Sequence, residues 1–114
     1  MILYSRADCA WCERTRREFL LPLANDPASA DRVLVRQINL DSDARLIDFA
    51  GRATTHRLFA TAQHARLAPT LMFYASDGRQ VAEPVVGFLL ADFYAAYIER
   101  GIDTGLARLR DGQR

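Results

Sequence analysis

The sequence from Ile2 to Thr15 reads ILYSRADCAWCERT, and it joins a predicted strand to a predicted helix at two cysteines. Residues 2–5 predict a short buried strand, and residues 6–8 predict the loop that follows it. Residues 9 to about 23 repeat their apolar side chains at helical spacing. Pro22 lies inside this run and predicts that the helix kinks or ends there.

Cys9 and Cys12 are the only cysteines of the chain. A disulfide that closes so short a loop restricts the unfolded chain very little, so stability is a weak reason for the pair. A zinc site needs three or four ligands, and the two histidines, His56 and His64, are distant in sequence. The pair therefore predicts thiol–disulfide chemistry without a metal or another cofactor.

The start of a helix favours an anion, because its unpaired N–H groups and its dipole are positive there. Cys9 is accordingly the predicted nucleophilic thiolate, and Cys12 the thiol that resolves the mixed disulfide. Trp11 occupies the spacer between them, where it is predicted to cover one side of the pair and to contact the partner.

The composition excludes several functions. The chain has 114 residues, which suits one domain, residues 1–114, with a peripheral tail from about residue 102. It has 15 basic and 14 acidic residues, a balance that argues against nucleic-acid or membrane-surface binding. All the basic residues are arginine, which excludes a lysine Schiff base. No stretch is long enough to span a membrane, and a monomer is expected.

The remaining pattern predicts an α/β fold of order β-α-β-α-β-β-α, with a four-stranded mixed sheet covered by helices on both faces. Residues 33–40 predict a second strand, central and parallel to the first. Asp41 and Asp43 after it are predicted helix caps. The later elements are helices at about residues 44–50 and 55–65, a strand at 70–74, a hairpin turn at 76–78, a strand at 80–86 and a helix at about 90–100.

Several motifs together resemble the thioredoxin superfamily. They are the stretch from Leu3 to Cys12, Ala68-Pro69-Thr70 before a hydrophobic strand, Asp77-Gly78-Arg79 at a hairpin turn, and Val86-Gly87-Phe88 beyond it. The resemblance implies a thioredoxin fold in which Pro69 is cis and packs beside the cysteines. It also implies that Ala68 and Pro69 bind the substrate backbone, with the main chain of Ala68 pairing to it as an added strand.

Within that superfamily, the chain looks like the small exported thioredoxin-like proteins of bacteria, including those associated with sulfur oxidation. This resemblance implies a periplasmic reductase of protein disulfides that is served by a membrane-bound or soluble electron donor. A cytoplasmic location is the alternative, since no export signal is visible. Two departures from ordinary thioredoxins weaken the expectation of general reduction: the Ala10-Trp11 spacer, and Leu3 at the place of a buried acidic residue.

Two other functions remain open. Glutaredoxin has a similar opening, with Arg6 placed like its glutathione-binding cation, but its Gly-Gly-Asp signature is missing after Gly87. The other is a non-catalytic thioredoxin-fold binding module, in which the cysteines are vestigial or act as a redox switch. His56 and His64 are predicted surface residues, and Phe93, Tyr94 and Tyr97 a core stripe of the last helix.

Overall fold

The computed structural model of the protein describes residues 1–88 and 91–112. These residues form a mixed α/β structure with one four-stranded sheet and one separate two-stranded sheet. In chain order, the elements are β1 (Ile2–Ser5), α1 (Ala10–Thr15), a π-helical turn (Arg16–Leu20), α2 (Leu21–Asn25), a 3-10 turn (Pro27–Ser29), β2 (Arg36–Asn39), β3 (Arg45–Ile47), β4 (Ala53–Thr55), α3 (His56–Ala62), β5 (Thr70–Met72), β6 (Val85–Val86) and α4 (Ala91–Asp111).

The main sheet has the strand order β2-β1-β5-β6. β1 pairs in parallel with β2, as predicted, while β5 is antiparallel to both β1 and β6. The prediction that the second strand is central is wrong, because β2 lies at the edge. Only Ile38 of β2 is buried, whereas all four residues of β1 are buried on both faces. Apolar side chains on both faces mark a central strand, and β1 meets that criterion.

The alternating side chains of β1 divide the core into two layers. Leu3 packs on one face with residues of the π-helical turn and of α4, such as Leu20 and Tyr94. Tyr4 packs on the other face with residues of α3 and beyond, such as Phe59. Successive strand residues point to opposite faces, so the sheet is covered by helices on both sides.

The first helical run does not end at Pro22 but continues to Asn25. The π-helical turn precedes the proline, and the N–H of Leu21 donates to the carbonyl of Arg16 across it. A proline inside a helix lacks an N–H and crowds the carbonyl of the preceding turn. The wider π turn is one way in which a helix accommodates such a disturbance.

The helix predicted at residues 44–50 is wrong, because this segment contains β3 of an antiparallel hairpin. Gly51 lies in the turn with a φ of 80°, a left-handed conformation that favours glycine. Asp41 and Asp43 are therefore not helix caps; Thr55 caps α3, where its hydroxyl accepts from the N–H of Leu58.

His56 is not a free surface residue as predicted, because it is half-buried and its Nδ1 accepts the backbone N–H of Asn39 at 3.0 Å. This bond attaches the start of α3 to the edge strand β2. His64 is exposed, as predicted.

The strand predicted at residues 80–86 is reduced to β6, together with an isolated bridge between Tyr74 and Gln80. The turn predicted at residues 76–78 is present between Tyr74 and Gln80, with Gly78 at a φ of 94°. The helix start predicted at residue 90 lies outside the described residues.

α4 is one helix that extends to Asp111, so the chain after Ile102 continues the helix. Ile102 belongs to the core. Two glycines let α4 approach the sheet: an added Cβ at Gly101 would meet the ring of Phe73, and one at Gly105 would lie 2.9 Å from Val81. The predicted core stripe is only partly right, because Tyr94 is buried while Phe93 and Tyr97 are exposed.

Candidate redox site

The cysteine motif begins where β1 leaves the sheet, in the loop of residues 6–8. The carboxylate of Asp41 accepts the backbone N–H of Ala7 at 3.1 and 3.3 Å, which ties this loop to the end of β2. Asp8 has a φ of 56°, a left-handed conformation that aspartate tolerates better than most residues. The loop therefore turns the chain sharply from the strand into α1.

Cys9 and Cys12 form a disulfide at the start of α1. Cys9 is the N-cap residue: its Sγ accepts the backbone N–H of Cys12 at 3.1 Å, and its carbonyl accepts the N–H of Glu13. Cys12 is fully buried, whereas Cys9 is partly exposed. The two sulfurs thus differ in access, and the exposed one also receives a backbone hydrogen bond that favours an anion.

One side of the disulfide is a polar cleft of about 880 Å³ at the carboxyl ends of β1 and β2. Cys9 lines it, and so do charged side chains of both signs. Within it, Arg16 forms an ion pair with Glu13 and donates to Gln37 at 2.7 Å. The charged side chains of this polar cleft are Arg6, Asp8, Glu13, Arg16 and Asp41.

Pro69 lies at the same end of the sheet as the cysteine motif. Tyr4 pairs with Thr70 in the last residue pair between β1 and β5. Pro69 precedes Thr70, so it lies at the carboxyl end of β1, where the loop to the cysteines begins. The Ala68–Pro69 peptide bond is cis, and the carbonyl of Pro69 accepts the N–H of Gly87 at 2.8 Å. Pro69 is buried and Ala68 is half-buried.

The other side of the disulfide is aromatic. Trp11 stacks on Phe88, with ring centroids 5.0 Å apart and planes 28° apart. Phe88 meets Tyr94 edge-on at 4.9 Å, and Phe19 packs against Tyr94 at 5.0 Å. We call these four residues the aromatic cluster. Trp11 is its exposed end, with 54% of its surface accessible, and Tyr94 is its buried end.

The buried end of the cluster holds one hydrogen bond: the hydroxyl of Thr15 donates to that of Tyr94 at 3.1 Å. Both residues are fully buried. Burial raises the pKa of Tyr94, and the hydrogen bond from Thr15 offsets part of this rise. Tyr94 therefore stays neutral at ordinary pH.

Five residues were predicted to form the site, and the structure brings them to one end of the sheet. Trp11 contacts Phe88, whose neighbour Gly87 is hydrogen-bonded to Pro69. Sequence reasoning missed Phe88 and Asp41 as parts of the site. Phe88 belongs to the Val86-Gly87-Phe88 motif, so its position in that motif could have placed it near the cysteines. Nothing in the local sequence of Asp41 indicates its role, because its contact is with Ala7, which is distant in sequence. The five predicted residues are Cys9, Trp11, Cys12, Ala68 and Pro69.

Across residues 1–88 and 91–112, no group of three or more His, Cys, Asp or Glu side chains is placed to hold a metal ion. Within the same residues, no helix is both long and apolar enough to cross a membrane.

The chain was also compared with known proteins. No protein-family model matches the sequence, and no curated protein matches it significantly. A disulfide between cysteines at C-x-x-C spacing, in a small mixed α/β protein, is compatible with a thioredoxin-like protein and with thiol–disulfide chemistry.

Proposed function

We propose that this protein is a thioredoxin-like thiol–disulfide oxidoreductase that reduces protein disulfides through Cys9 and Cys12. The observation that carries the proposal is the unequal access of the two sulfurs at a helix start. Cys9 is partly exposed and hydrogen-bonded as an anion would be, while Cys12 is buried behind it. This inequality suits attack by an accessible thiol on the partner and resolution by a second thiol within the molecule.

In the reduced protein, the Cys9 thiolate attacks one sulfur of the partner's disulfide. A bond forms between Cys9 Sγ and that sulfur, the partner's S–S bond breaks, and the second partner sulfur leaves as a thiolate that takes up a proton. Cys12 then loses its proton and its Sγ attacks Cys9 Sγ. The bond between Cys9 and the partner breaks, the Cys9–Cys12 disulfide forms, and the first partner sulfur leaves as a thiolate that takes up a proton. Two electrons pass to the partner, and a thiol or dithiol donor must return them.

The strand arrangement supports the thioredoxin-like assignment. The first two strands are parallel and adjacent, and the last two are antiparallel beyond β1, as the resemblance implies. Leu67 and Val86 are exposed apolar residues near Pro69. Leu67 precedes Pro69 by two residues, and Val86 pairs with Thr70, the residue after Pro69. Both line one groove of about 330 Å³. This groove and the main chain of Ala68 are the proposed contacts of an extended partner segment.

We also infer an exported, periplasmic location from the resemblance. The oxidised state of the cysteine pair is compatible with an oxidising compartment, where disulfides persist.

The deciding experiment follows two single variants with a protein disulfide substrate. Cys12→Ser is expected to accumulate a mixed disulfide with the partner, because the resolving thiol is missing. Cys9→Ser is expected to trap none. The reverse pattern would exchange the roles of the two residues. If alkylation and mass measurement detected no reversible couple in the unaltered protein, the binding-module alternative would replace the proposal.

The direction of electron flow is tested by equilibrating the protein in graded thiol–disulfide buffers. A potential near the thioredoxin value, roughly −270 mV, is expected for a reductase, and one near about −120 mV would indicate an oxidant.

A second candidate, a glutathione-dependent oxidoreductase, is favoured by the polar cleft beside Cys9. The cleft offers arginine and carboxylate side chains to a small zwitterionic thiol, and Arg6 is exposed within it. Glutathione as the sole reductant should then sustain turnover. If only a dithiol or a protein donor sustains it, the thioredoxin-like function stands.

A further inference from the structure

Trp11 packs against two neighbours although more than half of its surface is exposed. One contact is the stacking on Phe88. The other comes from Arg14, whose guanidinium carbon lies 5.5 Å from the centre of the Trp11 ring and 4.9 Å from that of Phe88. The indole, the phenyl ring and the guanidinium thus pack against one another beside the disulfide.

Arg14 is itself held by Glu18 in the next turn of the helical run. Its Nε and Nη2 donate to the two carboxylate oxygens of Glu18 at 3.1 and 3.3 Å. The fork fixes the plane of the guanidinium, and Glu18 balances its charge. The exposed surface at Trp11 is therefore packed against two neighbours and locally neutral, which suits an apolar group better than an ion.

We propose that Phe88 and Arg14 position the Trp11 indole as a recognition surface for an apolar side chain next to the reacting cysteine of a protein partner. This inference rests on the proposed function, since it names the kind of partner segment that the redox site selects. In the mixed disulfide the partner's cysteine is bonded to Cys9, so its neighbouring residues lie beside the spacer. A ring that its neighbours hold in place before binding loses less conformational entropy than a free side chain when a partner binds.

The first test uses two synthetic pentapeptides as symmetrical disulfides, one with leucine on both sides of the cysteine and one with serine. The unaltered protein is expected to reduce the leucine peptide with a kcat/KM about tenfold higher, mainly through KM. In Arg14→Gln and in Phe88→Leu this preference should fall to about twofold or less, since the indole is released.

Matched controls separate positioning from general damage. Arg17→Gln removes an exposed arginine of the same helical run, and Phe93→Leu alters an exposed phenylalanine of α4. Both should retain the full preference for leucine. Arg14→Gln changes an accessible residue, so it keeps the test valid if Phe88→Leu fails to fold.

The second test needs no turnover. Trp11 is the only tryptophan, so its fluorescence anisotropy decay reports its own motion. Faster local motion is expected in Arg14→Gln and Phe88→Leu than in the two controls. Unchanged motion in both variants would overturn the proposal, as would reduction of the two peptides at equal rates. Failure to reduce any disulfide would instead refute the proposed function and leave the anisotropy result to decide the positioning roles.

Discussion

The disulfide separates two surfaces of opposite chemistry. The polar cleft on one side carries charged side chains of both signs on loops and strand ends. The aromatic cluster on the other side runs from the exposed Trp11 to the fully buried Tyr94. Cys9 lines the polar cleft, while Trp11, two residues later, belongs to the aromatic cluster. One turn of helix therefore presents a single redox pair to two different environments.

These two surfaces contribute unequally to stability and to recognition at the site. Exposed ion pairs contribute little to folding because water and salt screen them. Buried aromatic rings contribute much more through the apolar surface they remove from water. We therefore expect the aromatic cluster to hold α1 against α4, and the polar cleft to set the local conformation of the Cys9 loop.

The largest expected effect is the loss of the buried end of the cluster. Tyr94→Ala should lower the free energy of unfolding by about 3–5 kcal/mol, as other buried aromatic truncations do. Arg6→Ala in the polar cleft should change it by less than about 0.5 kcal/mol, because Arg6 is exposed. Denaturant unfolding measures both. Similar losses in the two variants would contradict the unequal distribution of stability.

A smaller effect isolates the hydrogen bond inside the cluster. Tyr94→Phe removes the acceptor of the Thr15 hydroxyl, and leaving that buried group unpaired should cost about 1–3 kcal/mol. The double variant Thr15→Val with Tyr94→Phe should recover part of the loss, because neither polar partner remains. Additive losses in this double-mutant cycle would show that the two hydroxyls contribute independently.

A still smaller effect is expected where Asp41 ties the Cys9 loop to β2. Asp41→Ala removes the acceptor of the Ala7 N–H, and water replaces it because the site is exposed. The free energy of unfolding should fall by less than about 1 kcal/mol, while hydrogen exchange at Ala7 becomes faster. Asp41→Asn keeps an acceptor oxygen and should protect Ala7 better than alanine does. Equal protection in both variants would show that Asp41 does not order the loop.

The smallest effect concerns an exposed ion pair outside both surfaces. The hydrogen bond and charge of Arg57 lower the pKa of Asp43. A carboxyl whose pKa is lowered by folding stabilises the protein above its unfolded pKa, about 3.9, and this stabilisation is lost as the pH falls through the folded pKa. The small stability difference between the unaltered protein and Asp43→Asn should therefore shrink in acid. A difference that grows in acid would contradict this sign.

Local patterns predicted the elements whose signals lie within a few residues. The apolar run of β1, the turn at Gly78 and the strand that begins at Thr70 are all present. The prediction of a helix at residues 44–50 was wrong because a short stretch of mixed polarity fits either a helical turn or a hairpin strand. Its pairing with residues 53–55 is a contact that periodicity does not reveal.

Long-range pairing also explains why β2 was misplaced and why the tail was underestimated. The branched residues before Arg36 suggested a central strand, but the position of a strand in a sheet depends on which neighbours cover its edges. In α4, Tyr94, Ile98 and Ile102 are buried at four-residue spacing, which turns Phe93 and Tyr97 outward. Packing against the sheet, and not hydrophobicity alone, determines which side of α4 is buried.

The chemistry of this protein follows from a local feature of its sequence: two cysteines at C-x-x-C spacing between a strand and a helix, with a tryptophan between them. Covalent spacing and backbone hydrogen bonding are local, so they can be read from adjacent residues. The surroundings of that pair depend on long-range contacts in the folded chain. Phe88 and Asp41 reach the site from distant parts of the chain, because strand pairing and core packing bring together residues that no local pattern connects. Pro69 is equally distant in sequence, and it was expected at the site only from the family resemblance.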